Sequence, residues 1–168
     1  MKKVAKSEVD FIIGDSKYCQ HNISDCHFYM AEDTSLLYNG LHGDYSVLLG
    51  GNWRFELIVD SLTGLCTHVQ SFLKKLEVTY TTLELPKYES KDLYFAKEEP
   101  LDPGGGCHYF PFTNKAFWDV QRRILCYGDP NSKGDAVEFT SKTIAVIDKK
   151  RLMCVYLLLD DITGEIVF

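Results

Sequence analysis

Proline is missing from the first 85 residues of this 168-residue chain and from the last 38; all five prolines fall between Pro86 and Pro130. Proline cannot donate to a β-ladder and is excluded from central strands. The two proline-free ends are therefore where uninterrupted sheet can form, and the middle is predicted to run over the surface. Long apolar runs are missing too. The longest, Leu152 to Leu159, has eight residues, against the about 20 that a membrane helix needs. The start, Met1-Lys2-Lys3, is basic, but Glu8 and Asp10 interrupt the apolar centre that a secretory signal requires. These absences predict a soluble cytoplasmic protein that does not enter a membrane.

A basic balance is also lacking. With 18 Lys and Arg against 24 Asp and Glu the net charge is −6, which disfavours nucleic acid as a partner. Several chemical motifs are absent. Gly104-Gly105-Gly106 is not followed by the last glycine of a dinucleotide fingerprint, and Gly128 to Gly134 lacks the Gly-Lys-Ser/Thr ending of a phosphate loop. Neither Gly-x-Ser-x-Gly nor His-Glu-x-x-His occurs. No cofactor is expected.

What is present is ordinary globular material, 45% hydrophobic and 25% charged, enough for a single domain over residues 1–168. Strand signals dominate. Trp53, Phe55, Leu57 and Val59 alternate with Arg54, Glu56, Ile58 and Asp60, a period of two. Leu65, Thr67 and Val69 continue the alternation after a turn at Ser61 to Gly64. Leu76 to Tyr80 alternates as well; Leu83 and Leu85 fall out of phase, which predicts a bulge near Thr81-Thr82. Thr143 to Asp148 and Leu152 to Leu159 are apolar on both faces and read as a central hairpin that must be covered on each side. Leu93-Tyr94-Phe95 is apolar enough to dock back on the core.

Ala116, Phe117, Val120, Ile124 and Tyr127 fall on one stripe at helical spacing, with Thr113 or Asn114 to cap the start and Gly128 to end it. This predicts a helix over 114–127, preferred here to a strand at Arg123 to Tyr127. On it, Trp118 would group with Gln121 and Leu125 beneath the loop between Pro100 and Pro111. The expected fold is α+β, mainly antiparallel sheet built from hairpins, with that one covering helix. Asp60-Ser61-Leu62-Thr63-Gly64 recurs as Asp160-Asp161-Ile162-Thr163-Gly164. Asp and Thr bond turn amides and Gly takes positive φ, so the echo is read as two hairpin closures rather than a duplicated fold.

Six cysteines are the one unusual count. The chain exceeds the size of disulfide scaffolds, so reduced thiols are expected, with Cys66 and Cys154 packed in strands as small hydrophobes. Four histidines lie beside or one removed from a cysteine. Cys19, His21, Cys26 and His27 are zinc-ligand types within nine residues, but Cys26 and His27 are adjacent and would point to opposite faces of a strand. Cys107 follows the three glycines and has His108 beside it; a nucleophile there would need a base from elsewhere in the fold. These are the nearest approaches to a metal or catalytic site, and neither is assigned.

The stretch Glu138-Phe139-Thr140 and Thr143 to Ile147, followed by a turn and a second apolar strand, resembles segments of small bacterial proteins and implies no activity. The leading expectation is a non-catalytic protein-interaction module with another protein as partner. A bacterial immunity-type protein is one version, its acidic surface facing a basic target. The alternatives are a metalloprotein or cysteine-dependent enzyme built on the Cys/His pairs, and a small-ligand binder at the Gly104–Gly106 loop.

Overall fold

A computed structural model describes residues 9–15, 26–39, 43–50, 55–97, 101, 107–110, 112 and 115–168. Fifteen strands appear among them. The first seven are β1 (Val9–Ile13), β2 (Cys26–Met30), β3 (Ser35–Asn39), β4 (Tyr45–Leu49), β5 (Phe55–Val59), β6 (Cys66–Phe72) and β7 (Glu77–Tyr80). A single 3-10 turn, Leu73–Lys75, separates the last two. The rest are β8 (Tyr88–Ser90), β9 (Leu93–Lys97), β10 (Cys107–Phe110), β11 (Lys115–Asp119), β12 (Ile124–Gly128), β13 (Asp135–Thr140), β14 (Thr143–Asp148) and β15 (Arg151–Leu158).

The strands form a six-stranded sheet, β10-β4-β5-β6-β3-β2, a seven-stranded sheet, β7-β11-β12-β15-β14-β13-β8, and the pair β1-β9. The two large sheets share one apolar core. Leu36, Phe55, Leu57, Val59 and Val69 come from the first, and Leu125, Tyr127, Val137, Ala145 and Leu157 from the second. The alternation at Phe55, Leu57 and Val59 puts these three on the inner face. Phe55 stacks on Tyr127 at 4.2 Å and 16°, and the Tyr127 hydroxyl donates to the Leu49 carbonyl at 3.1 Å. A bulge between Ile58 and Val59 resets the phase of β6, so Cys66 and Val69, not Thr67, reach the core.

The predicted central hairpin is present: β14 and β15 lie inside the seven-stranded sheet. Ile144, Val146, Cys154 and Tyr156 carry a second cluster on its outer face, and Leu83 closes over it. This corrects the bulge expected at Thr81-Thr82. The chain leaves the sheet after Tyr80 and lays residues 81–86 across its outer face, so the phase change marks a change of layer.

The α+β expectation fails at 114–127. That stretch is a β-hairpin, β11 to β12, and the only helical element among the described residues is the 3-10 turn. Its apolar residues occupy both faces: Ala116 and Trp118 point into the core, while Phe117 packs against the outer cluster. A two-sided hairpin with a four-residue turn reproduces a 3.6-residue stripe by accident. Arg123 sits in the turn with φ of 55°, and Gly128 lies in a strand with φ of 108° rather than ending a helix. Trp118 is buried, against Phe168 at 5.3 Å and below the Arg123 guanidinium at 6.0 Å.

The two large sheets repeat one topology. The hairpin β2-β3 and the meander β4-β5-β6 join through β3 and β6; the hairpin β11-β12 and the meander β13-β14-β15 join through β12 and β15. The repetition extends to detail. The hairpins turn at Thr34 (φ 57°) and Arg123 (φ 55°). Their carbonyls accept from Leu73 N at 2.9 Å and Leu159 N at 2.8 Å, and each leucine carbonyl then accepts from the residue three further on, Leu76 or Ile162. The β5-β6 and β14-β15 pairs carry matching bulges, at Ile58/Val59 and Val146/Ile147. Phe28, Tyr29, Leu36 and Tyr38 recur 89 residues on as Phe117, Trp118, Leu125 and Tyr127.

The pentapeptide echo is not part of this repeat. Asp60 closes the β5-β6 turn by accepting from the amides of Leu62 and Thr63. Asp160 instead follows the last strand, where it and Asp161 pair with Lys142 at 2.7 Å each.

Candidate interaction surface

Most of the Cys/His candidates fall outside the described residues. Cys19, His21 and the Gly104–Gly106 loop lie outside the described residues, as do the side chains of Cys26 and His108. Cys107 is an exposed free thiol on β10. Cys66, Cys126 and Cys154 are buried free thiols. Burial pushes the Cys66 thiol far above its ordinary range. A hydrogen bond with Cys154, then burial, does the same for Cys126. A protonated buried thiol is a poor nucleophile. Among the described residues no group of three or more His, Cys, Asp or Glu could hold a metal ion.

His27 is a core residue, 4% exposed. Its ring meets Tyr38 edge-on at 5.1 Å, and Tyr38 stacks on His68 at 5.3 Å. Its Nε2 lies 3.5 Å from the Thr143 hydroxyl, and its Nδ1 has no hydrogen-bond partner. Burial, and then the nearby His68, push its pKa down to about 3. The imidazole is therefore neutral and packed between the two sheets.

Two concave features flank the seven-stranded sheet. A groove of about 670 Å³ runs along the 81–86 segment, with Thr79, Thr82, Asn131 and Ser132 on its walls and Phe117 and Tyr156 below. The Ser132 hydroxyl is buried there without a partner. A second hollow of about 560 Å³ lies against the paired strands β8 and β13 and is also lined by Ile13; there Lys91 pairs with Glu89 at 2.8 Å.

The strongest asymmetry is at β2. In the second repeat, β11 is flanked by β7, which runs parallel to it from Lys115↔Glu77 to Trp118↔Tyr80. Residues 81–86 then cover the sheet. Asp119 anchors that cover: its carboxylate accepts from Leu83 N at 2.9 Å, Gln121 N at 3.1 Å and Arg122 N at 3.0 Å. The hydrogen bonds from Arg122 and then Leu83 hold its pKa below the usual carboxylate range. The Arg122 guanidinium donates to the Leu83 carbonyl at 2.7 Å.

In the first repeat, β2 ends its sheet, and among the described residues no strand pairs with its outer side. Phe28, the counterpart of Phe117, is 41% exposed and Met30 is 39% exposed, and Phe72 beside them is exposed as well. Phe28 shares its face with half-buried Leu37, since the two are register partners. Next to this strip Glu56 is buried, and its carboxylate accepts a hydrogen bond from Gln70 Nε2 at 2.8 Å. An exposed apolar edge strand is a template for pairing that monomeric proteins normally blunt.

Of these surface residues the sequence singled out only Glu56, on the polar side of an alternating strand; Phe28 and Met30 follow the Cys/His-dense stretch that ends at His27. The signal that reaches them is the 89-residue repeat, which pairs Phe28 with the half-buried Phe117. No family model matches the chain, and it matches none of the curated proteins.

Proposed function

We propose that the chain is a non-catalytic protein-interaction domain that binds its partner along β2 and the adjoining outer face of the six-stranded sheet. One observation carries this reading: Phe28 is 41% exposed, whereas its counterpart Phe117 is half-buried beside the chain's own β7 and 81–86 segment. The repeat thus contains both a partly occupied and an open form of the same surface. Burying an aromatic and a methionine at such an edge supplies several kcal/mol, about 1.5–3 for each fully buried side chain. Strand addition supplies the directional part of recognition. The −6 charge favours a basic partner, which suits an immunity-type domain that blocks a basic target.

The test compares native extracts passed over the immobilised chain and over a Phe28→Glu/Met30→Glu variant. A partner held by the first and released by the second is expected. Identical recovery on both, or none on either, sinks the reading.

A second reading is favoured by the unpartnered Ser132 hydroxyl in the threonine-lined groove: a small neutral polar ligand seated there. A melting-temperature screen of such compounds that shows no stabiliser counts against it.

A further inference from the structure

Resting on the interaction reading above, we propose that the partner adds an extended strand parallel to β2 and sets a lysine or arginine against the carboxylate of Glu56. The second repeat shows how the position is filled. β7 runs parallel to β11, Thr81 N donates to the Trp118 carbonyl at 3.1 Å, and Leu83 N is held by Asp119. Leu83 then enters the outer cluster with Ile124, Cys126, Ile144 and Tyr156.

The first repeat offers different chemistry at the same places. The counterparts of those four residues are Ser35, Leu37, Glu56 and Gln70. The registers agree: Glu56 pairs with Gln70 as Ile144 pairs with Tyr156, and Ser35 meets Phe72 as Ile124 meets Leu158. A leucine arriving here would seal a carboxylate under hydrocarbon. Glu56 has one amide donor, Gln70, and among the described residues no cation pairs with it. A buried carboxylate is stabilised by an opposite charge that can also hydrogen-bond to it. The side chain that fits is therefore cationic, presented at the Leu83 position of a segment that crosses over the sheet face as 81–86 does, with its hydrocarbon stem along Leu37. The chain's own cover supplies the template for the backbone path, and Glu56 changes the residue at the end of it.

The experiment uses three synthetic peptides of residues 76–86: the natural sequence, one with Leu83→Lys and one with Leu83→Glu. Each is titrated into the full chain and followed by amide NMR. The Leu83→Lys peptide is expected to shift the amides of Cys26 to Met30 and to bind about tenfold more tightly than the natural peptide, with Leu83→Glu weakest. Glu56→Gln, which keeps the shape and the bond to Gln70, should erase the lysine advantage. Equal binding of all three peptides at β2 overturns the role of Glu56 and leaves the interaction surface standing. No shift at β2 with any peptide overturns strand addition itself.

Discussion

Phe11 and Phe95 face each other across the β1-β9 pair as register partners, their rings 5.5 Å apart at 63°. Each amide reaches over to a turn of a large sheet. Phe11 N donates to the Lys150 carbonyl at 2.9 Å, and Phe95 N to the Gly64 carbonyl at 2.8 Å. Both acceptor residues have positive φ, 63° and 77°. The strand that precedes the first repeat is thus tied to the second repeat, and the strand that precedes the second is tied to the first. The pair clasps the two repeats together at a local two-fold relation.

Both rings are almost fully buried. Phe11→Ala and Phe95→Ala should each destabilise the fold by about 3–5 kcal/mol. Denaturant unfolding of the two single variants and the double variant should show a favourable coupling of about 0.5–1.5 kcal/mol. Strict additivity would show that the rings act separately.

His27 makes stability depend on pH. In the unfolded chain it protonates near its ordinary 6.5, while in the folded state it stays neutral down to about 3. Between these values the unfolded state binds more protons, so stability falls as pH falls. The loss attributable to His27 should be about 2 kcal/mol by pH 5. Urea unfolding at a series of pH values checks this, with His27→Phe as the variant in which that part of the slope disappears.

Asp119 joins the β11-β12 turn to the covering segment. Asp119→Ala leaves the buried Leu83 amide without its acceptor and should destabilise by about 1–3 kcal/mol. Asp119→Asn keeps one carbonyl oxygen and should lose less. Equal stability of Asp119→Ala and the parent chain would show that the cover is held by Leu83 packing alone.

Two glycines separate crowding from backbone conformation. A Cβ at Gly128 would lie 2.6 Å from the Met153 carbonyl oxygen and 2.9 Å from the Cys154 Cβ, whereas one at Gly164 meets nothing within 4 Å. Gly164→Ala should destabilise by about 1–2 kcal/mol, the left-handed strain alone. Gly128→Ala should be distinctly worse. Melting temperatures of the two variants decide it.

Alkylation with iodoacetamide in the native state, read peptide by peptide, should modify Cys107 and leave Cys66, Cys126 and Cys154 untouched. Denaturation should expose all four. Rapid native labelling at any of the three buried thiols would contradict their place in the two clusters.

The strands that local pattern alone determined are those whose faces differ or whose length forbids a helix. Phe55, Leu57 and Val59 alternate and form β5; Thr143 to Leu159 breaks at Lys149-Lys150 and forms the central hairpin. The proline-free ends carry both. The hairpin at 115–128 was not legible, because strands apolar on both faces lose the period of two that separates them from a helix. Its Phe117 is half-buried beside the 81–86 segment and its Trp118 is buried against Phe168 and Arg123, and only tertiary packing supplies these neighbours. The repeat was half legible. Phe28, Leu36 and Tyr38 return at constant spacing as Phe117, Leu125 and Tyr127, while the louder Asp-x-x-Thr-Gly echo joins positions that are not equivalent. What the tertiary structure alone decided is which of the two phenylalanines stays open. Residues 76–86 follow the first repeat in the chain yet cross over to cover the second, so the edge they would match at β2 is left exposed beside Glu56.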